Sequence, residues 1–259
     1  MSDGAPFASF LFDPLRVWLD QLPARPDTEA VAALAERFPV FAGDGRRIRF
    51  VPPQADGRIY ECRIHESGEV ETRPDNWHDF FNALVWLSFP QTKKAISALH
   101  VRAMQTTGQP RGRVRDALTH FDECGIAVLS ARADLLDLLR GFRWKELFVD
   151  HRADVRRSMR FVVFGHAMYE QLLNPFRGLT AKAVLHVVDD SWLKLSAGAL
   201  TAAADSLLAA EANADRLTSP QHFQPLPLLG IPGVHPASED AAYYDDTWHF
   251  RPGRRTMSV

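Results

Sequence analysis

Apolar positions recur at helical spacing along most of this chain and switch to alternation in only a few places. From Asp13 to Leu22 and from Asp27 to Phe38 the spacing predicts a helical pair, each with an Asp at its start. After the Gly43-to-Gly45 turn the period falls to two, over Arg47 to Val51, Arg58 to His65 and Glu69 to Arg73. The segments IYECRI and EVETR, joined by Glu66-Ser67-Gly68, predict a β-hairpin. A helix from Asn76 to Ser88 follows, and Pro90 opens another that runs to about Met104.

Past the polar linker TTGQPRGR, Arg113 to Asp122 is again helical and Ile126 to Ser130 is a short apolar strand. Two helices, Asp134 to Arg140 and Arg143 to Val149, precede Arg160 to Phe164, which suits a strand or a helix start. Gly165 to Leu173 reads as helix, Ala181 to Val188 as a second buried strand, and Ala197 to Arg216 as an amphipathic helix. Beyond it prolines recur, yet LPLLGIPG and YYDDTWHFRP are too apolar and aromatic for a free tail. The expected architecture is one α+β domain over residues 1–259, mostly helical, with a small and mainly antiparallel sheet. An N-terminal helical pair (1–45) and a Pro-rich segment (217–259) pack on it.

One helix stands out. On a wheel of about 100° per residue, Trp77, Phe80, Phe81, Leu84, Val85 and Leu87 gather on one side, which is core. The opposite side carries His78, Asp79, Asn82 and Trp86, where a surface helix would place Lys, Glu and Ala. Both sides are therefore expected to be buried, and a buried polar side needs hydrogen-bond partners or a ligand. In the plainer alternative Asp75 or Asn76 caps the helix, Asp79 suits its positive end, and His78 is a satisfied core residue.

Composition narrows the classes. With 259 residues and 46% hydrophobic content the chain can bury a sizeable core. A net charge of −2 and 24% charged residues give no global field for nucleic acid or an anionic membrane. Cys62 and Cys124 are too few for a disulfide framework and read as buried thiols in a reducing compartment. PFASFLF is too short for a signal sequence and no run approaches a membrane span, so a bacterial-style cytoplasmic protein is expected.

Three constellations have the residue types of chemistry. The first is His78, Asp79, Asn82 and Trp86. Its HisAsp doublet invites comparison with HD-type phosphohydrolases, but the earlier His that such a site needs is only His65, on the expected hairpin. A ββα-metal nuclease has the order hairpin His then helix, which His65 followed by Asn76, His78 and Asn82 satisfies, without the basic surplus to hold DNA. The second is Arg115, Asp116, Asp122 and Glu123, ahead of a buried strand. The third is His166 and Glu170, at i and i+4, able to hold each other as base and orienter or to share a metal. Nearby, Arg177 and Lys182 flank a turn suited to an anion. A GxSxG elbow, a Walker loop, GxGxxG and HExxH are all absent from the sequence.

Taken in order, NWHDFFNALVWLSFPQTK, RDALTHFDECG, WKELF, FGHAMYE, GLTAKA, PLPLLGIPG and YYDDTWHFRP resemble the bacterial family known as domain of unknown function 3025. The resemblance spans about 60–252. It implies one family domain over nearly the whole chain and carries over no cofactor or catalytic residue.

The expectation is that the three polar faces meet in one pocket. His78, Asp79, Asp122, His166 and Glu170 would be the catalytic groups, with His78, His166 and Asp122 as donors to a divalent metal ion. Asn82, Trp86, Arg115, Asp116 and Lys182 would hold a small-molecule substrate. The chemistry would be metal-assisted or general acid/base hydrolysis of a small polar or phosphorylated compound. The rival is a non-catalytic protein whose polar network is structural and whose aromatic C-terminal segment meets a protein partner.

Overall fold

Helices dominate the fold, as the spacing predicts. A computed structural model describes residues 7–42, 44–107 and 112–253, so the centre of the TTGQPRGR linker and Gly43 lie outside the described residues. In chain order come a 3-10 turn Phe10–Leu15, α1 (Arg16–Leu19), α2 (Thr28–Arg37), β1 (Arg49–Val51), α3 (Tyr60–Ser67), β2 (Glu69–Glu71), α4 (Trp77–Ser88), α5 (Pro90–Thr107) and α6 (Arg113–Cys124). Then follow β3 (Gly125–Ser130), α7 (Ala133–Arg140), α8 (Arg152–Ser158), β4 (Met159–Val163), α9 (His166–Leu173), β5 (Thr180–Val187), α10 (Ala197–Asn213) and β6 (Gln224–Pro227). Among the described residues no helix is long and apolar enough to cross a membrane.

The larger sheet has the order β4-β3-β5-β6. β3 is central and buried at every position, which is why it reads as an unbroken apolar run. It pairs antiparallel with β4, Ile126 opposite Val163, and parallel with β5, Gly125 opposite Lys182. β6 adds antiparallel to β5. Its Pro225 and Pro227 lack the N–H that a central strand needs, and an edge tolerates them. The C-terminal segment buries Leu226, Leu228, Leu229, Ile231, Tyr244 and Phe250 in a cluster that also includes Phe12, Phe81 and Phe121.

The expected hairpin is not there. Tyr60–Ser67 is a helix, and β2 pairs in parallel with β1, Phe50 opposite Val70. Over six residues the periods of 2 and 3.6 are hard to tell apart, and Gly68 decides the matter. At φ 69° it closes α3 as a left-handed cap, its N–H donating to Ile64 O. A Cβ there would lie 2.4 Å from Arg47 O, so glycine also lets β1 approach. Arg63 gains a buried role that alternation hid: its guanidinium meets Asp56, Glu69 and Glu71. With His65 on a helix, the hairpin needed by the ββα-metal reading is gone.

Candidate functional site

The site is built outward from α4. Asn76 caps the helix, its Oδ1 accepting from Asp79 N at 3.0 Å. Every residue from Asp79 to Leu87 is buried, so the helix is enclosed on both sides. On the apolar side Phe81 stacks on Trp77 and Tyr169, with centroids 5.5 and 5.7 Å away. On the other side His78, Asn82 and Trp86, one helical turn apart, line a cavity of about 270 Å³. Tyr60 and Glu61 of α3, Lys93 and His100 of α5, Asp122 of α6 and His166 of α9 complete its wall.

At its centre two histidines meet edge on. His78 Nε2 and His166 Nε2 are 3.0 Å apart. The far nitrogen of each ring is also engaged: His78 Nδ1 lies 3.1 Å from Glu170 Oε2, and His166 Nδ1 lies 2.8 Å from the carbonyl oxygen of Asp122. A carbonyl and a carboxylate only accept, so both Nδ1 atoms carry hydrogen, and the contact between the rings needs a third. Two neutral imidazoles own two. A hydrogen bond between the rings therefore uses a proton beyond those two, and His78, beside Glu170 and about one-third exposed, is the ring open to solvent. Burial pushes His166 down to about 3, although the Asp122 carboxylate opposes it. His166 is also the first residue of α9, where the helix dipole disfavours a cation.

A glycine sets the position of His166. A Cβ on Gly165 would come within 2.4–2.5 Å of Glu123 O, Cys124 N and Gly125 N. The end of β4 thus lies directly on the end of α6, and Gly165 N and Phe164 N both donate to Gly125 O. This close passage delivers His166 to the Asp122 carbonyl.

Beside the histidines lies a buried ion pair. Lys93 Nζ reaches Asp122 Oδ1 and Oδ2 at 2.7 and 2.8 Å and Asn82 Oδ1 at 2.9 Å, and it sits 5.2 Å from the Trp86 ring centroid. Burial raises the Asp122 carboxyl, but the Lys93 charge and hydrogen bond, together with the neighbouring His166 and His100, outweigh it and leave the group below its ordinary value. Asn82 Nδ2 donates to Tyr60 Oη at 2.9 Å, and burial pushes the Tyr60 hydroxyl well up. Among the described residues, two buried nitrogens of the wall, Trp86 Nε1 and His100 Nδ1, have no hydrogen-bond partner.

The structure brings together His78, Asp122, His166 and Glu170, with Asn82 and Trp86 beside them. It gives the other candidates different work. The Asp79 carboxylate accepts from Arg73 N, Nε and Nη2 at 2.8–2.9 Å, so it fastens the β2-to-α4 turn. Arg115 is tied to Glu61 at 3.1 Å, Asp116 is exposed on the outer side of α6, and Lys182 lines a separate pocket. The expected metal donors do not converge: Asp122 approaches His166 at Nδ1, its carboxylate 3.6 Å away, whereas His78 approaches at Nε2. A metal between the rings would find two nitrogens, and among the described residues no group of three His, Cys, Asp or Glu side chains is arranged to hold one.

Sequence reasoning overlooked Tyr60, Glu61, Lys93 and His100. Lys93, Ile96 and His100 share the stripe of α5 that faces α4. That spacing was the available signal for Lys93 and His100, whereas Tyr60 and Glu61 were hidden by the hairpin reading.

The molecule is thus an α+β protein whose helices enclose a histidine pair and a Lys–Asp pair at one end of a mixed sheet. The chain belongs to the family described as protein of unknown function (DUF3025), which matches residues 48–254. All the groups of the site lie within that span. No curated protein and no solved structure matches the chain.

Proposed function

We propose that this pocket carries out general acid/base hydrolysis of a small polar substrate, neutral or cationic. The observation that carries the reading is the row Glu170, His78, His166 and Asp122 carbonyl, which stores one proton at the wall of a half-closed cavity. His78, about one-third exposed, is the catalytic residue that exchanges this proton. His166 and Glu170 are positioning residues. The stored proton passes to the leaving atom as its bond breaks, while water adds hydroxide to the substrate and returns a proton to the pair. Trp86 Nε1 and His100 Nδ1 supply hydrogen bonds that a polar ligand would complete.

Charge selects against a phosphorylated substrate. Glu61, Glu71, Asp79, Asp122 and Glu123 line the cavity against Arg73, Lys93 and the protonated His78, and each of these cations is already bound to a carboxylate. The free thiols Cys62 and Cys124 support a reducing setting such as the cytoplasm.

The test is a panel of small esters, amides and amidines offered to wild type and to His78→Gln. Turnover that drops about 10²-fold or more in the variant, with folding retained, is the expected result. Equal turnover by both proteins, or none by wild type across the panel, would overturn the reading.

A further inference from the structure

We propose a second ligand site, independent of the histidine pocket, that binds a mononucleotide: a planar base on Trp248 and its phosphate on Lys182 and Arg251. A cavity of about 450 Å³ opens where β5 and β6 meet the C-terminal segment, a size within the ordinary range for small-molecule sites. Its wall includes Arg177, Lys182 and Arg251 and, among the described residues, no carboxylate. Arg177 is committed to Asp246, with Nε 2.7 Å from Oδ2. Among the described residues the Lys182 side chain makes no hydrogen bond or ion pair, and the Arg251 side chain donates only to Trp248 O, at 3.3 Å. Two cations at one opening without a counter-charge are suited to an anion of more than one charge.

The aromatic half of the site is equally specific. Trp248 is 52% exposed, an unusual condition for an indole, and Phe176 beside it is 52% exposed. The indole rests on Gly178, where a Cβ would lie 2.7 Å from Trp248 Cζ3. Gly178 also has φ 92°, so both its conformation and its flatness require glycine. The Arg177 guanidinium holds the ring at 4.7 Å from its centroid. A fixed, exposed ring next to unpaired cations is the arrangement that stacks a base and grips its phosphate. A third observation points to a ligand: His249, 2% exposed and part of the wall, accepts from Gly178 N through Nδ1 at 2.7 Å, and its Nε2 is buried without a partner among the described residues.

Titration calorimetry of the full chain with adenosine 5′-monophosphate, adenosine and inorganic phosphate tests this. Saturable one-to-one binding of the nucleotide is expected, with the two fragments at least tenfold weaker. Lys182→Ala and Trp248→Ala should each weaken binding at least tenfold, Trp248→Phe should restore most of it, and His166→Asn should leave it unchanged. Circular dichroism confirms that each variant is folded. Absence of saturable binding, wild-type affinity in Lys182→Ala or in Trp248→Ala, or a single-stranded oligonucleotide binding far more tightly than the mononucleotide would each overturn the proposal. Because the histidine pocket is not involved, failure here leaves the hydrolase reading standing, and the reverse holds as well.

Discussion

The histidine pocket and the Trp248 pocket sit on either side of one residue, Gly125: Asp122 and Glu123 precede it on α6, and Lys182 faces it across the sheet. They treat charge in opposite ways. Inside the first, the buried charges are matched, Lys93 with Asp122 and Asp79 with the exposed Arg73, because a buried charge without a partner costs several kcal/mol (roughly 3–5 when one partner is removed). In the second, Lys182 and Arg251 reach water and can remain unmatched. Pairing is thus a condition of folding in one pocket, and its absence is free to serve binding in the other.

The contrast breaks most visibly at Asp122. Asp122→Ala should destabilise the fold by about 3–5 kcal/mol in denaturant unfolding, by leaving Lys93 buried and unmatched. Restoration by Lys93→Met in the double variant would support this account, whereas an additive second loss would contradict it. Gly165→Ala comes next. Its methyl meets three backbone atoms, and a cost of about 1–3 kcal/mol is expected, together with a shift of the His166 ring resonances. Unchanged resonances would refute the role given to that close passage.

Acid sharpens the comparison through His166. The unfolded chain takes up a proton near the ordinary value of 6.5, while the folded chain keeps His166 neutral down to about 3. Between these values the unfolded state binds more protons. The stability that neutral His166 contributes is full above about pH 6.5 and is lost as pH falls toward 3, by up to about 1.4 kcal/mol per pH unit. His166→Asn should flatten this part of the stability profile relative to wild type, and parallel profiles would count against it. The smallest effect belongs to the other pocket: Trp248→Ala should change stability by no more than about 1 kcal/mol, since the ring lies on the surface. A larger loss in thermal unfolding would make Trp248 a packing residue.

Where local pattern and tertiary demand coincide, the sequence is readable. The two-sided burial of α4 follows from Trp86, Asn82 and His78 standing where solvent would favour Lys or Glu, and β3 follows from its continuous apolar run. The choice of ion partner has no such local trace. Nothing near Arg115 indicates Glu61, 54 positions away, and nothing near Lys93 indicates Asp122. The helix at Tyr60–Ser67 was hidden because Gly68 is as good a hairpin turn residue as a helix cap, and only the approach of Arg47 distinguishes them. The expected metal donors do not converge for a similar reason: residue type lists the donors, and only ring orientation tells which nitrogen faces whom.

Asp205 of α10 holds the start of α5 from a distance. Its carboxylate accepts from Gln91 N, Thr92 N and Thr92 Oγ1 at 2.7–3.0 Å, in place of a cap from the preceding residues. The next residue is Lys93. A ribosome that has released the chain through about residue 190 has therefore already supplied the row from Glu170 to Asp122, but not the clasp that fixes the first turn of the helix carrying the lysine. The first turn of the helix that carries Lys93 gains this clasp only when α10 has been made and has docked, so that part of the pocket is completed late in synthesis.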